Sequence, residues 1–373
     1  MHHLSFFNLF QLSTLLFSLA LLAQLQPGDS LSSPKISVNR RDLLQTIGSV
    51  TAGGLLLGDT TTNPQASIAA AAEENLQGPI AVLGASGRTG ALCVVACLER
   101  GIPVKALTRT GSWDLPTFAS ELKTDGLLSV SSCDVKDSSA LQTSLQGCRA
   151  VIYAASASKN GGNPKAIDND GVVAAGKACL EASVPRYVVL SSTATTRPKS
   201  LGYKFTNLLG GIMDEKRKGE EEVISLFGKS SSSSSSYTIV RPGGLEEPKE
   251  NKVLGASTLE VSQGDVLAGI ISRADLAEAT VELALSKATN VKNTALEVYY
   301  TESAQPCEGR FKSQMKDGVR LHGDTYEELF RGIQPNVDYF TILPSRQIAR
   351  ESSSPAHLTP AWIAQLGRPY QYS

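Results

Sequence analysis

Ala81-Val82-Leu83-Gly84-Ala85-Ser86-Gly87-Arg88-Thr89-Gly90 decides how the rest of the chain is read: an apolar strand end runs into a glycine-punctuated turn, and Ala91-Leu92-Cys93-Val94-Val95 continues as a helix. Each glycine has its own task. Gly84 allows the sharp turn, Gly87 lets the backbone approach a ligand phosphate, and Gly90 lets the helix pack tightly on its strand, with the helix N–H groups facing the anion. The turn from Gly84 to Gly90, with Ser86, Arg88 and Thr89 between the glycines, therefore reads as a cradle for a dinucleotide. Three glycines alone are a weak signal. The spacing G-x-x-G-x-x-G gains weight from Pro103-Val104-Lys105-Ala106-Leu107-Thr108, a second strand at the distance a βαβ unit requires.

The residue closing that second strand chooses between the two nicotinamide cofactors. An acid there would hold the 2′-hydroxyl of NAD and repel a 2′-phosphate; the residue here is Arg109. With Arg88 in the turn, two guanidinium groups can meet a phosphate, whose geometry they match better than an ammonium does. NADP is the expected cofactor, with NAD as the alternative.

Outward from the turn, apolar strands alternate with helical patterns, which predicts a single α/β domain built on a doubly wound parallel sheet, a Rossmann fold. Strands are expected at 80–83, 104–108, 127–133, 150–154, 187–191 and 237–241, and helices near 89–100, 138–145, 171–182 and 212–227. Right-handed crossovers then place the ligand crevice at the carboxyl ends of the strands. Ser230 to Ser236 reads as a flexible surface insertion before a strand. Ser272 with Asp275 in its first turn caps a further amphipathic helix.

Composition bounds function only loosely. The 373 residues are 41% hydrophobic and 19% charged with a net charge of −1, which gives no electrostatic case for nucleic acid. Cys93, Cys97, Cys133, Cys148, Cys179 and Cys307 lack C-x-x-C spacing and read as small core hydrophobes, not as a disulfide framework or a metal site.

Both ends lie outside the expected domain, 73–300. In 1–72, Phe6 to Leu25 is an apolar run with polar interruptions, an imperfect secretory signal or a marginal membrane anchor, followed by a serine-rich linker. Next come Asn39-Arg40-Arg41-Asp42-Leu43-Leu44, a mild apolar stretch and Ala69-Ala70-Ala71-Ala72, which resemble a twin-arginine signal with a small-residue cleavage site. Such layered addresses resemble those of plastid proteins in algae with extra plastid membranes, and imply a plastid, thylakoid-lumen destination. A secretory or membrane-anchored protein is the alternative, and membrane contact is expected only through this segment if it stays uncleaved. The extension 301–373 carries one short helix near Thr325 to Phe330, then many prolines that argue against long elements, and its simplest role is to pack on the domain itself.

The chain resembles the atypical short-chain dehydrogenase/reductase family, specifically its NmrA-like and plastid members. The resemblance rests on the turn 84–90, Cys133-Asp134-Val135, Tyr153-Ala154-Ala155, Ser191-Ser192-Thr193, Lys216-Arg217-Lys218-Gly219-Glu220, Tyr237 to Leu245 and Ile271 to Ala277, recurring in order. It implies that Asp134 and Val135 flank the adenine, that Ala154 and Ala155 line the nicotinamide side, and that Lys216 reaches the ribose. On its own, Lys216 in a run of charges is more often a solvated helix face.

The sequence departs from the family at the proton donor. Reductases of the wider family place a tyrosine four residues before the lysine, so that the ammonium favours the phenolate. Here that residue is Ile212, and none of the ten tyrosines precedes a lysine at that spacing. A tyrosine introduced at 212 is expected to point its phenol into the crevice. Two functions stay open: an NADPH-dependent reductase of a small carbonyl or quinone compound, with Ser192, Lys216 and Tyr203 shaping the site, or an NADP-binding sensor or assembly protein that acts on a protein partner.

Overall fold

A computed structural model of the chain describes residues 78–157, 162–208, 210–230, 234–246, 252–315 and 320–335. The targeting region 1–72, the cleavage site proposed after it and the proline-rich tail beyond Pro335 lie outside these residues.

The chain enters at β1 (Ile80–Leu83), turns into α1 (Arg88–Glu99), and continues through β2 (Val104–Thr108), β3 (Leu128–Ser132), α2 (Ser138–Ser144) and β4 (Ala150–Tyr153). A π-helical turn, Lys165–Asp170, leads into α3 (Gly171–Glu181) and β5 (Arg186–Leu190). Then come α4 (Leu201–Asn207), α5 (Ile212–Lys229), β6 (Ser236–Pro242), β7 (Gly244–Glu246), β8 (Leu259–Ser262), β9 (Leu267–Ala268) and β10 (Ile270–Ser272). The last elements are α6 (Arg273–Leu285), β11 (Thr294–Tyr300), β12 (Gln305–Pro306) and α7 (Tyr326–Arg331). The main sheet runs β3-β2-β1-β4-β5-β6-β11-β8, parallel throughout except for the antiparallel edge strand β8. This is the expected doubly wound sheet.

Both faces of the sheet are apolar because helices cover both. Val82, Ile152, Val188 and Val240 face the cluster built on Cys93, Val94 and Cys97 of α1 and Leu276, Ala279 and Leu283 of α6. The alternate residues Leu83, Val151, Val189 and Ile239 face Leu141, Ala175, Cys179, Val223 and Phe227. Five of the six cysteines are buried and all six are free, as small core residues should be.

Three local expectations need correction. Helix α6 is not amphipathic: all but two of its residues are buried, because α1, the sheet and the cluster containing Leu329, Phe330 and Ile333 enclose it. Its cap is as expected, with the Ser272 hydroxyl accepting from the Asp275 N–H. The serine run is not all surface loop: Ser235 and Ser236 are buried, and Ser236 opens β6 opposite Arg186 while its hydroxyl donates to the Pro185 carbonyl. The six expected strands also omit β11, which is buried along its whole length despite carrying Glu297.

The extension packs on the domain as far as it is described. Thr325 caps α7, residues 261 and 321 form a β-bridge, and Asn290 donates to the Phe330 carbonyl.

Candidate nucleotide site

In a doubly wound sheet the crevice opens where successive crossovers run in opposite directions, here between β1 and β4. The turn after β1 lies at that point. Gly84 has φ +82°, and a Cβ on it would sit 2.7 Å from the backbone N and Cα of Ala155, so only glycine lets the two loops approach. A Cβ on Gly90 would fall 2.2 Å from the Gly84 carbonyl oxygen, which is the close helix-to-strand packing expected there. The first turn of α1 carries no acid, and its N-cap Gly87 supplies no side-chain cap. Such a helix N-terminus is suited to an anion, and the cradle fits a dinucleotide pyrophosphate.

The other residues singled out from sequence fall along the same carboxyl edge. Arg109 follows β2 directly and is exposed, and Arg88 opens α1. Asp134 is half-buried, accepts from the Lys136 N–H at 3.0 Å and faces its ammonium at 3.4 Å. Val135 is buried against Gly171. Ala154 and Ala155 follow β4 and are half-buried. Beyond β5, the Ser192 hydroxyl donates to the Thr193 carbonyl at 3.2 Å.

Lys216 is not a solvated helix face. Its side chain is 13% exposed, and its ammonium lies 2.9 Å from the carboxylate of Asp168, which is fully buried. The other oxygen of Asp168 accepts from the Ala157 N–H at 3.0 Å. One carboxylate thus ties the lysine of α5 to the loop that follows β4. The approach is possible because α5 presents Gly219 to the π-helical turn, where a Cβ would meet the Asp168 carbonyl oxygen at 2.6 Å. The hydroxyls of Tyr153 and Tyr187 donate to the carbonyls of Ile167 and Val172, pinning the turn and the helix that follows it.

Tyr203 and Ile212 share one small buried cluster with Ala194 and Met213. The Tyr203 phenol donates to the Asp214 carboxylate, which also accepts from Asn207 at 2.8 Å. Burial first, and Asp214 second, push the phenol well above its ordinary range. Burial alone would raise Asp214, but the hydrogen bonds from Tyr203 and Asn207 hold its carboxyl below the usual range. The Tyr203 proton is thereby committed to Asp214. Ile212 is 1% exposed, so a phenol at 212 would be forced into packed side chains rather than into the crevice. That corrects the expectation for a tyrosine there, and overpacking of this kind costs about 1–3 kcal/mol.

Sequence reasoning missed the buried charges that hold this edge. Asp265 accepts from the backbone N–H of Ala194 and, at 2.7 Å, from the N–H and hydroxyl of Thr196. It thereby holds Ala194 at φ +68°, a left-handed conformation unusual for alanine. One turn after Lys216, the buried Glu220 pairs with Arg241 at 2.6 Å and accepts from the Thr195 hydroxyl at 3.3 Å. Asp168 had a signal of a kind, since π-helical turns are rare and gather at functional sites, but hydrophobic periodicity does not reveal one.

The family to which the chain is matched agrees with this geometry. Residues 84–287, more than half of the chain, match a family described as NAD(P)H-binding. An uncharacterised chloroplastic protein of Arabidopsis thaliana is 30% identical over 220 residues, covering 57% of this chain and 73% of that protein. Protein TIC 62, chloroplastic, of Pisum sativum is 28% identical over 184 residues, covering 45% of this chain and 33% of that longer protein. Among solved structures, a short-chain dehydrogenase/reductase from Veillonella parvula in complex with NADP is 16% identical with a TM-score of 0.47, covering 61% of this chain and 96% of that one.

Proposed function

We propose that this chain, which belongs to the NAD(P)H-binding family, is an NADPH-dependent oxidoreductase whose acceptor is a quinone rather than a ketone or aldehyde. The observation that carries the choice is that the position one turn before Lys216 carries no phenol. Ile212 occupies it, the Tyr203 hydroxyl is bound to Asp214, and the ammonium is compensated by Asp168. In this reading Gly84, Ser86, Gly87, Thr89 and Gly90 hold the pyrophosphate, Asp134 and Val135 flank the adenine, Ala154 and Ala155 line the nicotinamide side, and Lys216 holds the ribose. Ser192 orients the acceptor oxygen.

The bound nucleotide supplies the hydride, and the acceptor decides how much protein chemistry is needed. A ketone taking a hydride becomes an alkoxide, which needs a proton as it forms, and general acid catalysis contributes about 10²–10⁴-fold. A quinone taking a hydride becomes a hydroquinone anion, which persists in water and collects its proton from solvent. NADPH, a proton and the quinone then give NADP⁺ and the hydroquinone. With NADPH at saturation, quinone reduction should exceed ketone and aldehyde reduction by about 10²-fold or more. Comparable rates would overturn this choice of acceptor. The same missing phenol favours a second reading, in which NADP is a structural or sensing ligand and the chain acts on a protein partner; tight NADPH binding with no turnover of either acceptor would select it.

Arg109 and Arg88 are proposed to bind the 2′-phosphate. Arg109→Asp should weaken NADPH binding by about 10–100-fold, the worth of one charge-assisted hydrogen bond, and reverse the preference toward NADH. Isothermal titration of both nucleotides checks this, and equal affinities in the unmodified protein would remove the basis for it.

A plastid location is proposed from the layered N-terminal segment and from the chloroplastic relatives, with the thylakoid lumen as the destination that Arg40-Arg41 implies. Protein recovered from its native compartment should begin near Glu73. An N-terminus that retains Arg40 and Arg41 would favour an anchored protein instead.

A further inference from the structure

Helix α4 faces the wrong way for an ordinary surface helix. Ser200 caps it, its hydroxyl accepting from the Tyr203 N–H at 3.2 Å, and Tyr203 is its buried residue, anchored to Asp214. On the exposed side stand Leu201, Phe205 and Leu208, which are 70%, 60% and 80% exposed. Their spacing of four and then three residues sets them on one side of the helix. They form an apolar ridge on the exposed side of the helix.

Two lysines flank the ridge, and the next acid along the chain, Asp214, is engaged by Tyr203 and Asn207 of α4. Lys199 and Lys204 are exposed beside the ridge, and from Ala182 to Met213 the chain contains no aspartate or glutamate. The ridge also has a firm base: Arg197 donates to the carbonyls of Gly264 and Asp265, and Asp265 holds Thr196. Because α4 links β5 to α5, the ridge stands at the carboxyl end of the sheet, where the crevice opens.

We propose that this ridge docks on the surface of an anionic lipid bilayer, with Leu201, Phe205 and Leu208 entering the acyl boundary and Lys199 and Lys204 at the headgroups. Exposed apolar side chains flanked by lysines are the chemistry an interfacial segment needs. Among the described residues no helix is long and apolar enough to cross a membrane. The inference does not depend on turnover at the nucleotide site.

The test is sedimentation of the full chain with vesicles of phosphatidylcholine alone or mixed with phosphatidylglycerol. The unmodified chain should bind the anionic vesicles and lose binding as salt is raised. Phe205→Glu should weaken partitioning at least about tenfold, since a fully buried phenylalanine is lost, and Lys204→Glu at least about fivefold. Both side chains are exposed, so circular dichroism should show an unchanged fold. As a second readout, Phe205→Trp should give emission that brominated lipids quench on anionic vesicles. Equal sedimentation of parent and Phe205→Glu, or unquenched emission from the Phe205→Trp protein, would overturn the proposal and leave the ridge to a protein partner. Equal binding to neutral vesicles would overturn its electrostatic part.

Discussion

Replacing Arg241 by methionine should cost the fold about 3–5 kcal/mol, because it strips the cation from two fully buried carboxylates. The guanidinium is 0% exposed and lies 2.6 Å from Glu220 of α5 and 3.2 Å from Glu297 of β11. One positive charge cannot balance two negative ones, and Asp265 adds a third nearby. Burial alone would lower Arg241, but Glu220 and Asp265 hold its guanidinium up, so the adjustment falls on a carboxyl group. Burial first, and Asp265 second, raise Glu297 from 4.5 to about 8 against the opposing pull of Arg241. Its Oε2 accepts from the Ser262 hydroxyl at 3.3 Å.

The sign of the pH dependence follows from that raised value. Between about pH 4.5 and pH 8 the folded chain holds a proton that the unfolded chain has released. Its contribution to stability is therefore fully present below the unfolded value and is lost as pH rises through the folded one. Urea midpoints should fall between about pH 5 and about pH 8.5, and Glu297→Gln, which keeps the shape without the proton, should flatten that fall while costing little at neutral pH. A Glu297→Gln protein with the same slope as its parent would place the proton elsewhere. An Arg241→Met protein as stable as its parent would mean that the cluster is solvated.

The sheet was legible because its apolar periodicity is local: Ile80 to Leu83, Val104 to Thr108 and Ala150 to Tyr153 are short runs with glycines or helices after them. The glycine turn after β1 was legible for the same reason, since Gly84 carries its positive φ and Gly90 packs against the Gly84 carbonyl within the same short stretch. What stayed hidden is what only the tertiary structure assembles. Asp168 meets Lys216, and Arg241 meets Glu220 and Glu297, across 21 to 56 residues of chain. In sequence they are single charges in mixed surroundings, and Glu297 made β11 harder to read as a buried strand. The outward face of α4 was hidden for a related reason: Leu201, Phe205 and Leu208 have the periodicity of a core helix, and only the fold turns them to solvent.

Lys216→Met should lower stability by about 3 kcal/mol, and adding Asp168→Asn should recover most of that loss. The lysine compensates a carboxylate with no exposed surface, so its removal leaves an uncompensated buried charge, whereas the double substitution removes the charge as well. The asparagine carbonyl oxygen can still accept from the Ala157 N–H, so the loop after β4 keeps its tie. Nucleotide affinity should behave differently. If the ammonium holds the ribose, Lys216→Met weakens NADPH binding by about tenfold, the value of a charge-assisted hydrogen bond, and Asp168→Asn cannot restore it because no cation returns. Urea denaturation and calorimetric titration of the parent, both single variants and the double variant separate the two roles. Recovery of stability without recovery of affinity assigns Lys216 to the nucleotide. Recovery of both would make it a structural counter-ion to Asp168, and would move the ribose contact away from α5.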